Sequence, residues 1–383
     1  MIVRDYRPLY QQLEEAHSLF PQLKTKEERL AFYNYLENIY CALLCMGDQD
    51  ADYRKDPYFQ DQVQYGKFLK DLDTYSERLI QNYLQYKDFH KEYLGEIVAG
   101  VEDRIQEIRS IPSVDMDPIP EKDFYEILFS FLSSIGEKKI LDSFLQKNHI
   151  YSSVIGHSDG NIGFTLYNPF SRECHLFVKQ FDYTFPNLNT LIHEIGHGID
   201  YQHFQGDMKE FNQYFYLSYY EEVISRMMER LFHRYCLQNG ILVPEAKDSY
   251  ASLEGFMHDF LLESYMFSLF DKEILTKGRY VDCDREELVQ KIKDHFVNEE
   301  ALRMFLTEAP PLDLSESYSY AYGDIISLFL TEEVEKNGMN SELMEYFYWN
   351  AKQPFSDTFI RECGFGPKNY QDLYEKEIQL IKK

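Results

Sequence analysis

Along the first hundred residues, apolar and aromatic side chains recur three and four positions apart, with Lys, Glu, Asp and Gln between them. That period is helical, and it predicts helices from Arg7 to about Ile108. Leu30, Tyr33, Leu36, Tyr40 and Leu44 form one such stripe, which reads as core packing. The run from Met46 to Asp52 breaks the period and reads as a turn. Asp48, Asp50 and Asp52 alternate there as in a calcium loop, but the glycine and closing Glu of that motif are misplaced, so a plain loop is expected. Three prolines between Ile111 and Pro120 suppress helix and sheet alike. They set the expected division into a helical amino-terminal lobe, residues 1–110, and a second lobe, residues 121–383. Helix resumes from Phe124 to Gln146. The period then shortens, and Ile162 to Tyr167 and Cys174 to Gln180, separated by the turn-rich Asn168 to Arg172, predict an antiparallel hairpin. Beyond Asn187 the pattern is helical again, interrupted near Gly240, Gly278, Pro310-Pro311 and Gly364. The expected fold class is therefore mainly α, with a small β element in the middle of the chain.

Composition adds to this picture at three points. Hydrophobic residues make up 44%, with 32 Tyr and 29 Phe against a single Trp, so the core carries many phenol hydroxyls that need partners. A net charge of −26 excludes a nucleic-acid binder, which needs clustered Lys and Arg to displace counterions from phosphate, and disfavours anionic membranes. It reads as a solvated acidic surface. The six cysteines form no CxxC pair and no disulfide framework, so reduced thiols are expected. The polar start, Met1 to Pro8, lacks the apolar run of a signal peptide, and no stretch approaches the roughly 20 apolar residues of a membrane span. A cytoplasmic protein is expected, with no nucleic-acid or membrane partner.

The segment carrying chemistry is Thr190-Leu-Ile-His-Glu-Ile-Gly-His-Gly-Ile-Asp. On a helix, His193 and His197 point to one side, where both imidazoles can bind one Zn²⁺ at about 2.0–2.1 Å. Glu194, beside the first ligand, can accept the proton of a water activated by that metal and pass it to a leaving amine. Leu191, Ile192, Ile195 and Ile199 give this helix an apolar face, and Gly196 and Gly198 suggest close backbone packing. A third ligand is required. The run from Tyr219 to Phe232 predicts an amphipathic helix on which Glu222, Ser225 and Glu229 share a face. Glu222 would complete the site, Glu221 is its rival, and Glu229 could orient a ligand imidazole. His157 and His175 read as surface histidines.

At these residues the chain resembles the thimet oligopeptidase and oligopeptidase F family of zinc peptidases. His193-Glu194-Ile195-Gly196-His197 matches the family's His-Glu-x-Gly-His, and Glu222-Val-Ile-Ser225-Arg-Met-Met-Glu229 its Glu-x-x-Ser-x-x-x-Glu. The interval between them, by resemblance, selects Glu222 over Glu221. Ser317-Tyr-Ser-Tyr-Ala-Tyr-Gly is similar to the family's tyrosine-rich helix, which implies that Tyr318 or Tyr320 hydrogen-bonds the oxyanion of the scissile peptide. The chain is shorter than typical members, and no His lies between Leu306 and Tyr320, where members carry one. The resemblance implies a large helical zincin-like fold with a small antiparallel sheet beside the zinc helix and a deep cleft. It also implies one Zn²⁺ per chain and hydrolysis of short unfolded peptides lying along an edge strand, for which Cys174 to Gln180 is the candidate. Two other outcomes stay open: a catalytically silent zinc-containing peptide-binding or scaffold protein, and a protease dedicated to one protein target.

Overall fold

Thr25 opens a helix as its sequence invites. Its hydroxyl accepts from the Glu28 N–H, and the Glu28 carboxylate accepts from the Thr25 N–H, which satisfies two backbone donors that a helix start leaves over. In this computed structural model, residues 2–137, 139, 142, 149–153, 163–203, 207–269, 280–281 and 312–383 are described. The amino-terminal third holds α1 (Arg7–Leu19), α2 (Lys26–Cys45), the single turn α3 (Pro57–Gln60) and the long α4 (Gln62–Arg109). Leu30, Tyr33, Leu36 and Tyr40 are buried as the stripe predicts, but Leu44 is 39% exposed, because the last turn of α2 turns Ala42, Leu43 and Cys45 to the core instead. Asp48 accepts from the Tyr10 hydroxyl of α1 at 2.7 Å, and Asp52 caps the Arg54 N–H at 3.1 Å, so these two carboxylates serve packing and capping. After the extended 111–120 segment comes α5 (Glu121–Ser134). The remainder of the predicted Phe124–Gln146 helix falls largely outside the described residues, as do His157, Gly278, Pro310 and Pro311.

The β element is larger than a hairpin. Strands β1 (Ile150–Ser153), β2 (Gly163–Asn168) and β3 (Glu173–Lys179) form one sheet in the order β1-β3-β2. β2 and β3 pair antiparallel as predicted, with Thr165 opposite Leu176. β1 adds to the other side of β3 in parallel, with Ile150 opposite Leu176. The sheet is therefore mixed, not purely antiparallel. β2 lies between β1 and β3 in the chain, so their parallel pairing is not a hairpin and no turn motif advertises it. β3 lies in the middle of the sheet, which corrects its expected place at the edge.

The rest of the chain is helical: α6 (Phe185–His203), α7 (Met208–Leu217), α8 (Val223–Asn239), α9 (Val243–Leu269), α10 (Leu314–Asn337), α11 (Glu342–Ala351), α12 (Asp357–Glu362) and α13 (Pro367–Lys382), plus a two-residue pair, β4 (Tyr280–Val281) with β5 (Leu312–Asp313). The protein is mainly α. One apolar core joins these helices to those of the first third. Along α4, Tyr83 donates to the Phe267 carbonyl, Tyr93 to the Phe365 carbonyl and His90 shares a 2.7 Å hydrogen bond with the Tyr322 hydroxyl. Among the described residues, no helix is long and apolar enough to cross a membrane.

Helix α8 departs from its predicted form. Tyr220 N–H bonds the Ser218 hydroxyl at 3.0 Å in a local turn, and helix begins only at Val223. Every residue from Val223 to Arg234 is buried, so the helix is not amphipathic in use. Its polar positions meet a buried charge network instead. Arg226 and Arg230 both donate to Asp324, at 2.8 and 2.6 Å, and both reach Glu254. Tyr370 donates to the other Asp324 oxygen at 2.9 Å, and Arg234 donates to Glu377 at 2.8 Å, so ion pairs and hydrogen bonds link α8, α9, α10 and α13. Buried charges need such pairing, because each leaves water at a cost of several kcal/mol.

Candidate metal centre

The apolar side of α6, with Leu188, Leu191, Ile192, Ile195 and Ile199 all without exposure, fixes how that helix rolls against its neighbours. His193 and His197 then project together, with their Nε2 atoms 3.2 Å apart. Helix α8 crosses α6 at a point where a Cβ on Gly196 would lie 2.5 Å from the Ser225 Cα, so only glycine permits this approach. The crossing delivers Glu222, the residue that precedes the first turn of α8. Its Oε2 stands 3.3 Å from His193 Nε2 and 3.6 Å from His197 Nε2. Glu221 points elsewhere and accepts from the Tyr201 hydroxyl at 3.3 Å. On the far side of Glu222, a Cβ on Gly323 of α10 would come within 2.6 Å of the Glu222 Cβ. Three elements thus close on one point.

The donor set fits a metal. Ligands held about 2.0–2.1 Å from a tetrahedral Zn²⁺ lie about 3.3–3.4 Å from one another, and the three separations here are 3.2, 3.3 and 3.6 Å. His193 Nδ1 faces Glu229 Oε2 at 3.4 Å, which places the ring proton on Nδ1 and the lone pair on Nε2. Asn189 in turn donates to Glu229 Oε1 at 2.9 Å. Ser225 donates to the Glu222 carboxylate at 3.0 Å. Burial would raise Glu222, but His197, His193 and Ser225 bring it down to about 2; burial would likewise raise Glu229, and His193 and Arg226 bring it down to about 2. Burial pushes His197 down to about 4. Burial opposes a proton on His193, but Glu229 and Glu222 outweigh it and hold His193 above its ordinary value. Two ionised carboxylates thus surround the point, His197 is kept neutral by burial, and His193 is held protonated by their negative charge, a proton whose place a bound cation would take.

Glu194 is buried between this point and the sheet. Thr165 of β2 donates to its Oε2 at 2.6 Å, and burial pushes the carboxyl up to about 7 against the lowering influence of His193 and Thr165. The two tyrosines diverge. Tyr318 is fully buried, donates to the Ser264 carbonyl at 2.8 Å and packs against Tyr83, His90 and Tyr219. Its hydroxyl is spent on the core, so Tyr318 is not brought to the metal centre. Tyr320 stacks on Phe260 with centroids 4.4 Å apart, and burial together with the charges of Glu222, Glu316, Glu194 and Glu229 holds its phenol well above its ordinary value. Of the two, only Tyr320 lies near enough to the carboxylates of the centre to feel their charge.

Comparison with known proteins gives a fold likeness of low identity. No family model matches the chain, and no curated protein matches it. Among solved structures, the chain is similar to an oligoendopeptidase F from Bacillus anthracis, at 13% identity and a TM-score of 0.48, over 94% of this chain and 68% of that one. It is similar also to PZ peptidase A, at 11% identity and a TM-score of 0.48, over 99% of this chain and 69% of that one. The reading of the centre rests on the geometry of its own residues.

Several participants carried no sequence signal. Thr165, which fixes Glu194, and Asn189, which fixes Glu229, belong to no spaced motif and become visible only when the sheet and α8 close on α6. Which strand lies at the edge is also a tertiary outcome: β2, not β3, lacks a strand neighbour on one side among the described residues, and α2 packs against it. Asn34 and Asn38 of α2 and Tyr201 of α6 line a narrow cavity with Thr165 and Tyr167 of β2.

Proposed function

We propose that this chain is a metallopeptidase, with one Zn²⁺ held by His193, His197 and Glu222, that hydrolyses peptide bonds in short unfolded peptides. The observation that carries the reading is the convergence of those three donors at tetrahedral spacing with a buried, hydrogen-bonded Glu194 next to the first ligand. Bound zinc supplies a Lewis acid that polarises the scissile carbonyl and makes water nucleophilic near neutral pH. Glu194 takes the proton of the attacking water and returns it to the departing amine. Thr165 keeps one Glu194 oxygen fixed, which leaves the other to make that transfer. Tyr320 donates a hydrogen bond to the oxyanion of the tetrahedral intermediate, an interaction of about 2.7–4 kcal/mol in preorganised sites. Glu229 holds the His193 ring in place. An extended peptide adds to the edge of β2 through main-chain hydrogen bonds, which makes its side-chain preference weak.

The test is incubation of the zinc-loaded protein with a mixed peptide library, read by mass spectrometry for new termini. Cleavage is expected in the parent protein, and Glu194→Gln should abolish it while zinc content stays unchanged. A zinc-loaded parent protein that leaves every peptide intact would replace this reading with that of a peptide-binding or scaffold protein, or, if one folded protein is cut, with that of a dedicated protease.

A further inference from the structure

We infer that the chain carries a second divalent-cation site, suited to Zn²⁺, built from His149, Glu173 and His175 on the opposite face of the sheet from the first. Strand geometry assembles it. Glu173 and His175 are two positions apart on β3, so both side chains leave the same face. The parallel register sets Ile150 opposite Leu176, and the Leu176 N–H bonds the His149 carbonyl at 2.7 Å, so His149 lies alongside His175 at the foot of β1. Leu176 and its partner Thr165 belong to the alternate row, the face that meets Glu194. The sheet therefore stands between the two clusters.

Chemistry favours a borderline cation there. One ligand atom from each of the three side chains lies within 4.8 Å of the others. Both histidines are buried, at 9% and 5% exposure, and their ring centroids are 4.1 Å apart. Two imidazoles this close cannot both take up a proton without strong repulsion, whereas two neutral rings and one carboxylate offer the N, N, O donor set that Zn²⁺ prefers over Ca²⁺ or Mg²⁺. The surroundings shape the pocket. Gln12 of α1 places its amide nitrogen 2.9 and 3.1 Å from the His175 ring nitrogens, and Tyr35 of α2 donates to the Gln12 oxygen at 3.1 Å. Tyr151, two residues beyond His149, stacks on Phe177 at 4.7 Å and walls the side toward the strand centre. A cation here would tie the start of β1 to β3, the strand that positions β2 and hence Thr165.

The experiment is metal counting on the full chain, stripped with chelator, reloaded with Zn²⁺, freed of excess by gel filtration and analysed by mass spectrometry of the elements. Two equivalents per chain are expected. His193→Ala/His197→Ala should retain one, the cation of the second site, and His149→Ala/His175→Ala should also retain one, with the first site's metal in place. If the peptidase reading fails at its metal, the parent protein binds one equivalent and the His149/His175 variant none, which leaves the second site standing. Should removal of the buried histidines unfold the chain, Glu173→Gln, at a half-buried position, is expected to weaken one equivalent by at least about tenfold and to change the visible spectrum of the Co²⁺-loaded protein. Metal content and Co²⁺ spectrum that are identical in the parent protein and in the His149/His175 and Glu173 variants overturn the proposal.

Discussion

A phenol can serve either the core or a reaction, and Tyr318 and Tyr320, two residues apart on α10, divide those duties. The Tyr318 hydroxyl donates to the Ser264 carbonyl inside a wall of aromatic rings, so Tyr318→Phe removes a buried hydrogen bond. That costs about 1–3 kcal/mol of stability, and kcat for peptide hydrolysis should change by less than about threefold, since 1.36 kcal/mol in the barrier is tenfold. Tyr320→Phe should behave in the reverse way. Stability changes little, because the ring keeps its stack on Phe260. kcat falls by about 10²–10³ with KM nearly unchanged, as expected for a donor engaged only in the transition state. Denaturant titrations and steady-state kinetics on the two variants check both halves. Equal kinetic losses in the two variants would remove the distinction.

The element that organises the centre is the α6–α8 crossing. Helix α6 brings His193, Glu194 and His197 by its own period, but α8 must approach to backbone contact before Glu222 and Glu229 can reach them. Gly196 sets that distance. In Gly196→Ala the new methyl would sit 2.5 Å from the Ser225 Cα, a backbone atom that cannot swing away. The helices must separate, with an expected loss of about 1–3 kcal/mol and weaker retention of metal against chelator. Gly66, inside α4, is the matched control, since nothing lies within 4 Å of its Cβ position. Gly66→Ala should stabilise by about 0.5–1 kcal/mol through helix propensity alone. Chemical denaturation and chelator competition on both variants test whether close approach, rather than helix propensity, explains Gly196. The buried arginines of α8 support the same crossing from behind: Arg226 pairs with Glu229, so the carboxylate that orients His193 is itself locked to Asp324 and Glu254.

At the scale of the whole molecule, α4 is fastened to the carboxy-terminal helices by buried polar groups whose protonation matters. His90 faces Tyr83 of its own helix, Tyr219 before α8, Tyr318 and Tyr322 of α10, and Phe355, with no carboxylate among these ring neighbours. Burial pushes it from 6.5 down to about 3. Between those values the unfolded chain binds a proton that the folded chain refuses, so this group's contribution is complete above about pH 6.5 and is lost as pH falls toward 3. His233, brought down to about 4 by burial, works in the same direction. From pH 7 to pH 5, His90 alone should account for about 2 kcal/mol of lost stability, at 1.36 kcal/mol per unit. His90→Phe should remove that part of the pH dependence, read as the difference in unfolding free energy at the two pH values. An unchanged difference would place the acid sensitivity elsewhere.

The sequence by itself determined what short-range periodicity can encode. It set the mainly helical class, the β2–β3 hairpin with its turn, and the shared face of His193 and His197, because helical and strand periods place side chains without reference to the rest of the chain. Only the tertiary structure decided what depends on elements meeting. It spent the Tyr318 hydroxyl on the core and left Tyr320 to the centre, placed β3 inside the sheet by adding β1, and buried on all sides a helix whose pattern reads as amphipathic. Each of these is a contact between residues far apart in the chain, fixed by how closely backbones approach and which buried charges find partners. Local spacing carries no record of either.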